Sequence, residues 1–206
     1  MPRSVRFVQL VRRLQELCGE FLPDERDDLN YSTKDVDQIS AFLLLAHAEL
    51  EYFIEDWTFT LAVEALKGWR EDGRASGSLI ALLAYHDVKQ PDTPPSLTAG
   101  TDVILLEERL KAVVTTYCRF VRQINNGIKQ KDLLALLLPI GVPDADLDAA
   151  WLGGMDVLGQ ERGERAHKSL SRVQSVMTPT VAAERIDAVV REYERLDARF
   201  QQLALN

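Results

Sequence analysis

Residues 34–67 read KDVDQISAFLLLAHAELEYFIEDWTFTLAVEALK, and this stretch decides the fold class. Ile39, Leu43, Ala46, Leu50, Phe53, Trp57 and Leu61 recur at steps of three and four. At about 100° per residue those steps keep them on one helical face. From Ala41 to Ala48 the stretch is apolar nearly all round, as in a helix that other helices surround. Ser32 or Thr33 can serve as its N-cap, and Gly68, Gly73 and Gly77 break the pattern at the far end. A long helix from about Lys34 to Lys67 is therefore expected at the centre of the fold.

Toward the N-terminus a polar link, Pro23 to Ser32, leads back to an amphipathic helix over residues 3–18, with Val5, Val8, Val11, Leu14 and Leu17 near one face. Toward the C-terminus a short helix is expected from Ser78 to Tyr85. An elaborated proline-rich loop around residues 86–101 follows, of a length that is often functional. Thr101 caps a helix reaching Arg122, and Lys131 to Leu138 forms a short apolar helix ended by Pro139 and Gly141. Asp144 opens another helix, running to about Ser171. Thr178 and Pro179 start the last one, whose Ile186, Val189, Tyr193, Leu196, Phe200 and Leu203 form a seam that must pack on something. Strand-period alternation is absent. The expected fold is all-α, a helical bundle forming a single domain over residues 1–206.

Composition narrows the function classes. The chain has 206 residues, 46% apolar and 27% charged, with a net charge of -8, which is ordinary for a globular protein. No apolar run approaches the ~18–20 residues of a membrane span. Arg3, Arg6, Arg12 and Arg13 are mixed with apolar residues, unlike a secretory signal. A soluble, cytoplasmic protein without membrane association is expected. Cys18 and Cys118 lack metal-ligand spacing and read as free buried thiols. The acidic balance argues against a protein that coats nucleic acid, whereas a nuclease touching a few phosphates needs only local positive charge. Phosphate-binding glycine loops, zinc-binding His-Glu-x-x-His helices and Cys-x-x-Cys pairs are missing. Asp144, Asp146 and Asp148 alternate like a calcium loop. However, Ala149 stands where glycine is required and Met155 where glutamate is required, so they read as helix-start charges. No metal and no cofactor is expected.

The chemistry concentrates in residues 151–167, WLGGMDVLGQERGERAH. The apolar stripe of this helix runs through Trp151, Met155, Leu158, Ala166, Leu170 and Val173, and Arg162 falls in its middle. A guanidinium on a buried face is costly unless it is paired or lines a cavity. Glu51 on the central helix, with His47 one turn before it, is the candidate partner. Gly159 and Gly163 beside Arg162 bare the backbone, which helps where something approaches closely. From Arg162 to Arg172 there are four cations, Arg162, Arg165, Lys168 and Arg172, against the single carboxylate of Glu164. Arg165, Lys168 and Arg172 share a face, which is the local charge a phosphate-handling site needs. The plainer readings are a structurally paired arginine, a solvated basic face and an exposed histidine.

The Arg162-Gly-Glu-Arg-Ala-His167 run resembles the Arg-x(4–6)-His signature of the HEPN superfamily. Gln123-Ile-Asn-Asn-Gly-Ile-Lys-Gln-Lys-Asp-Leu-Leu, continuing to Leu137-Leu-Pro-Ile-Gly141, is similar to the block preceding that motif in the RiboL-PSP branch. Ala46-His-Ala-Glu-Leu-Glu-Tyr-Phe-Ile-Glu55 is similar to its acidic, aromatic second helix. The resemblance implies a helical-bundle homodimer that brings two Arg/His pairs into one cleft. It further implies a metal-independent endoribonuclease acting on RNA as an effector in toxin–antitoxin or antiviral defence, with an inhibitory or activating protein partner. On this reading Arg162 and His167 are catalytic, Arg165, Lys168, Arg172 and Lys129 contact RNA phosphates, and Glu51, Asn126 and Ser169 support the site. The chain departs from the pattern at Gly163, where many members carry a polar residue, and at Asn126, where histidine is common. The competing function is a catalytically inactive helical scaffold or interaction module.

Overall fold

The central helix forms because its ends are capped and its middle is needed on several sides. In the computed structural model, which describes residues 2–26, 30–86, 106–167 and 177–205 with the backbone alone for 164–167, it is α2, Thr33–Asp72. Ser32 is the N-cap, in a reciprocal capping box with Asp35. The helix runs through Gly68 to Asp72 and ends where Gly73 turns left-handed, at φ 67°. It therefore extends beyond Lys67, because Gly68 lets the Arg74 guanidinium fold back over the helix, 3.2 Å from where a Cβ would stand. Ile39, Leu43, Ala46, Leu50, Phe53, Trp57 and Leu61 are all buried, packed among α1 (Val5–Phe21), α4 (Leu106–Arg119), α6 (Ala149–His167) and α7 (Pro179–Leu205). Helix α3 (Gly77–Tyr85) and helix α5 (Gln130–Leu137) complete the seven α-helices of the described residues, which contain no strand. The fold class is all-α.

Helix α1 packs through a different face from the one expected. Phe7, Leu10, Leu14 and Leu17 are buried, whereas Val5 is 74% and Val8 53% exposed. Successive steps of three residues drift by about 60° each at 100° per residue, so the valines wind off the side that Leu14 and Leu17 share. The head of α1 is tied to α7: buried Asp197 accepts from the Ser4 backbone N–H at 2.8 Å and from Gln201 Nε2 at 3.0 Å. The α7 seam is buried at every expected position, and Thr178 caps this helix, its Oγ1 accepting from the Val181 N–H at 3.3 Å.

Two further boundaries differ. Asp144 heads only a 3-10 turn, Asp144–Asp146, and Asp148 starts α6 by accepting from the Trp151 N–H at 2.7 Å. Helix α4 gives way to a π-helix, Phe120–Ile124. Cys18 and Cys118 are free and half-buried, less enclosed than expected. The 87–105 part of the loop, with Thr101, lies outside the described residues, as does Ser171. No helix among the described residues is long and apolar enough to cross a membrane.

Candidate active site: a polar stripe beneath Arg162

Helix α2 carries His47, Glu51 and Glu55 at four-residue intervals, which stacks them along one face. His47 is 2% exposed, while Glu51 and Glu55 are half-buried. His47 Nδ1 lies 3.7 Å from Glu51 Oε2, beyond hydrogen-bond length. Helix α6 adds Arg162, which is exposed and whose charge acts on both His47 and Glu51. Helix α7 adds the buried Tyr193 phenol, raised far above its ordinary pKa by burial first and by Glu51 second.

The loop before α5 closes one end. A π-helix accommodates an extra residue per turn, and such turns recur at functional sites. After this one, Asn125 meets α2: its Nδ2 donates to Glu55 Oε1 at 2.9 Å and to the Gly127 carbonyl at 3.0 Å. The Gln130 N–H, at the start of α5, donates to Asp156 Oδ1 of α6 at 2.8 Å. Lys129 lays its aliphatic stem across α6 at Gly159, where a Cβ would fall 2.6 Å from Lys129 Cγ. Gly159 is thus a position of close approach, whereas at Gly163 nothing among the described residues stands within 4 Å of its Cβ position. Lys129 covers the turn just before Arg162.

The electrostatics follow from this enclosure. Burial, and then the Arg162 guanidinium, push the His47 pKa down from 6.5 to about 4, so its imidazole is neutral. Burial raises the Glu51 carboxyl, the Glu55 and Asp132 carboxylates raise it further, and Arg162 pulls it back. His47 Nε2, Tyr193 Oη and Asn125 Oδ1 are buried without a hydrogen-bond partner among the described residues.

A histidine neutral in the fold and protonated when unfolded makes stability depend on pH. Its contribution is complete above about 6.5 and is lost as pH falls toward 4. The loss amounts to about 3 kcal/mol at ~1.4 kcal/mol per pKa unit. Glu51, which protonates more readily in the fold, acts with the opposite sign. Comparing wild type with His47→Gln isolates the histidine: denaturant midpoints of the variant should fall less between neutral pH and about pH 4. Equal slopes would mean that His47 is not held neutral.

The expected site residues are distributed unevenly. Arg162 was expected on a buried face and is instead exposed; Trp151, Met155 and Leu158 before it are buried, so the covered part of the stripe ends one turn short of it. Neighbouring Glu161 pairs with Arg185 of α7. Glu51 and His47 do lie within reach of the Arg162 charge. Asn126 is exposed, with its Nδ2 turned to the Ile124 carbonyl at 2.8 Å; it is the neighbouring Asn125 that bonds Glu55. Of the three aspartates, Asp148 is a helix cap and Asp146 pairs with Arg199 at 3.4 Å. Arg165 and His167 sit on the last turns of the α6 backbone; Lys168, Ser169 and Arg172 lie outside the described residues. Sequence reasoning missed Glu55, Asn125, Asp132 and Tyr193. The i, i+4 spacing of Glu51 and Glu55 was the one signal available.

These features define an all-α bundle with a half-buried carboxylate stripe on α2 that feels the charge of an exposed arginine on α6. The chain matches no family model, no curated protein and no solved structure.

Proposed function

We propose that this chain is a metal-independent endoribonuclease. One observation carries the reading: Arg162 is open to solvent at the edge of a polar stripe, on the same unbroken helix that reaches His167. An exposed guanidinium can take two phosphate oxygens at once through its planar fork. Imidazole titrates near neutral pH and exchanges protons with a hydroxyl or a leaving oxygen. In the reaction the RNA 2′-oxygen attacks the adjacent phosphorus, the bond from phosphorus to the 5′-oxygen breaks, and His167 moves a proton at one of those oxygens. The products are a 2′,3′-cyclic phosphate and a 5′-hydroxyl.

About 140° of helix rotation separates Arg162 from His167, so a homodimer supplies the complementary member of each pair from the second copy. Lys129, Arg165, Lys168 and Arg172 hold the flanking phosphates. The resemblance to the HEPN superfamily supports the same assignment and implies a cytoplasmic defence or toxin–antitoxin effector controlled by an inhibitory or activating protein.

The test is incubation of the purified, uninhibited protein with RNA in excess chelator. Fragments ending in cyclic phosphate are expected, and a strand methylated at every 2′-oxygen should survive. Unmethylated RNA that stays intact after prolonged incubation would leave only the helical scaffold.

A further inference from the structure

The geometry points to a nucleobase site in the cleft between α1 and α2: a base of the RNA strand, guanine by preference, lies against the Tyr52 ring with its hydrogen-bonding edge toward Glu49. The choice of RNA as the source of the base rests on the nuclease reading; the cleft itself does not. The cleft encloses about 190 Å³, below the ~300–1,000 Å³ of sites that take drug-sized ligands, so it admits one flat ring system. Its apolar lining comes from the buried Leu10 and Phe53. Tyr52 adds an aromatic face. This tyrosine is 58% exposed, and neither a ring neighbour nor a hydroxyl partner is found for it among the described residues.

The polar groups around that lining divide into fixed and free. Arg6 is fixed: its Nε–H donates to Asp56 at 2.6 Å, a terminal nitrogen donates to Thr60 Oγ1 at 2.9 Å, and its guanidinium lies 4.5 Å from the centre of the Trp57 ring. Asp56 is thereby occupied, and Arg122 takes its other oxygen at 3.4 Å. Glu49 is half-buried with one oxygen engaged, by the Arg13 Nε–H at 3.3 Å. Its second oxygen and the exposed Gln9 amide have no hydrogen-bond partner among the described residues. Two arginines and two carboxylates line the cleft, so their charges cancel and select neither an anion nor a cation. An aromatic face, an apolar lining and free hydrogen-bonding groups at the rim suit a neutral, flat heterocycle with polar edges. Unpaired RNA bases are held in this way, stacked on aromatic side chains and read along their edges. A carboxylate accepts from two adjacent N–H donors, which guanine alone of the four RNA bases presents, on its ring nitrogen and its amino group. The guanine carbonyl beside them suits the Gln9 amide. At 100° per residue Tyr52 stands about 60° from Glu55 and about 40° from Asp56 on α2. The cleft and the polar stripe are therefore neighbours on the surface of that helix.

The experiment measures binding by fluorescence anisotropy to single strands methylated at every 2′-oxygen, one with a single guanine among uracils and one of uracil alone. Wild type should bind the guanine strand more tightly. Tyr52→Ala should weaken that binding by roughly tenfold, the loss of one stacked base, and Tyr52→Phe should retain it. Glu49→Gln should abolish the preference for guanine and leave affinity for the uracil strand as it was. Tyr52 is exposed, so its variants fold and decide the matter even if Glu49→Gln does not. Guanosine 5′-monophosphate should compete weakly, because the base arrives as part of a strand; a monophosphate that binds as tightly as the strand overturns RNA as the source. Equal binding by wild type and Tyr52→Ala overturns the site, as does a guanine preference that survives Glu49→Gln. Cleavage of unmethylated RNA is followed separately. If the strand binds through Tyr52 and no RNA is cut, the base site stands and the nuclease reading falls; if RNA is cut and Tyr52→Ala binds as wild type does, the reverse holds.

Discussion

His167→Ala should all but stop RNA cleavage, lowering kcat by ~10²–10⁴-fold, the range for losing a general acid or base. Arg162→Ala should cost ~10²–10³-fold, as loss of one charge-stabilising donor does. Arg162→Lys should recover little, since an ammonium cannot span two phosphate oxygens. Arg162 is exposed, so its replacement should change stability by no more than about 0.5 kcal/mol, and lost activity will not be lost folding. The double variant should be little worse than the poorer single one if both groups serve one step. Mixing the two inactive single variants tests the dimer. If Arg162 acts beside His167 of the second copy, half of the mixed dimers are hybrid and each carries one intact site, restoring ~25% of wild-type rate under two-fold symmetry. Should the pair act within one chain, mixing restores nothing.

How much of this was legible beforehand depends on whether a feature is local. The α7 seam and its Thr178 cap could be read because cap, first-turn proline and spacing all lie within one helix. The apolar face of α2, Ile39 to Leu61, was legible for the same reason. The burial face of α1 was not recovered from the valine steps, although Phe7, Leu10, Leu14 and Leu17 span only about 80° of the helix and were the better candidate. At the site, Arg162 and Glu51 could be named from their chemistry. Asn125 could not be told from Asn126, because nothing in Phe120–Ile124 announces a π-helix, and its extra residue decides which asparagine meets Glu55. Likewise three aspartates made equally good caps for α6. Pro143 and Leu147, which flank the 3-10 turn in extended conformation, left the task to Asp148. Tyr193 was expected as part of a seam, and the effect of the Glu51 charge on it depends on how α7 sits against α2, which no single segment encodes.

Phe200→Ala should lower the stability of the fold by ~3–5 kcal/mol, the cost of emptying a phenyl-sized volume from a packed core. Phe200 is fully buried, stacked on Trp57 with ring centroids 5.5 Å apart and 6.4 Å from Phe53. Phe53 in turn touches Tyr193 at 5.6 Å and Phe7 at 6.1 Å, so one aromatic cluster joins α1, α2 and α7. At roughly 2–4 °C per kcal/mol for a chain of this size, Tm should fall by about 10 °C. Phe200→Leu should recover much of that loss because it refills most of the space. Val8→Ala, on the face of α1 turned to solvent, should stay within about 0.5 kcal/mol of wild type. A small cost at Phe200 together with a large one at Val8 would mean that α1 packs by its valine face and that the cluster is not the core. The cluster also stands directly behind the site, because Phe53 lies between Glu51 and Glu55 and Tyr193 lies on the helix that Phe200 anchors. Phe200→Ala should therefore leave cleavage within a few-fold of wild type well below its lowered Tm, while making activity fail at a correspondingly lower temperature. The aromatic core thus sets the temperature at which the fold, and with it the proposed site, is lost, without itself taking part in the chemistry.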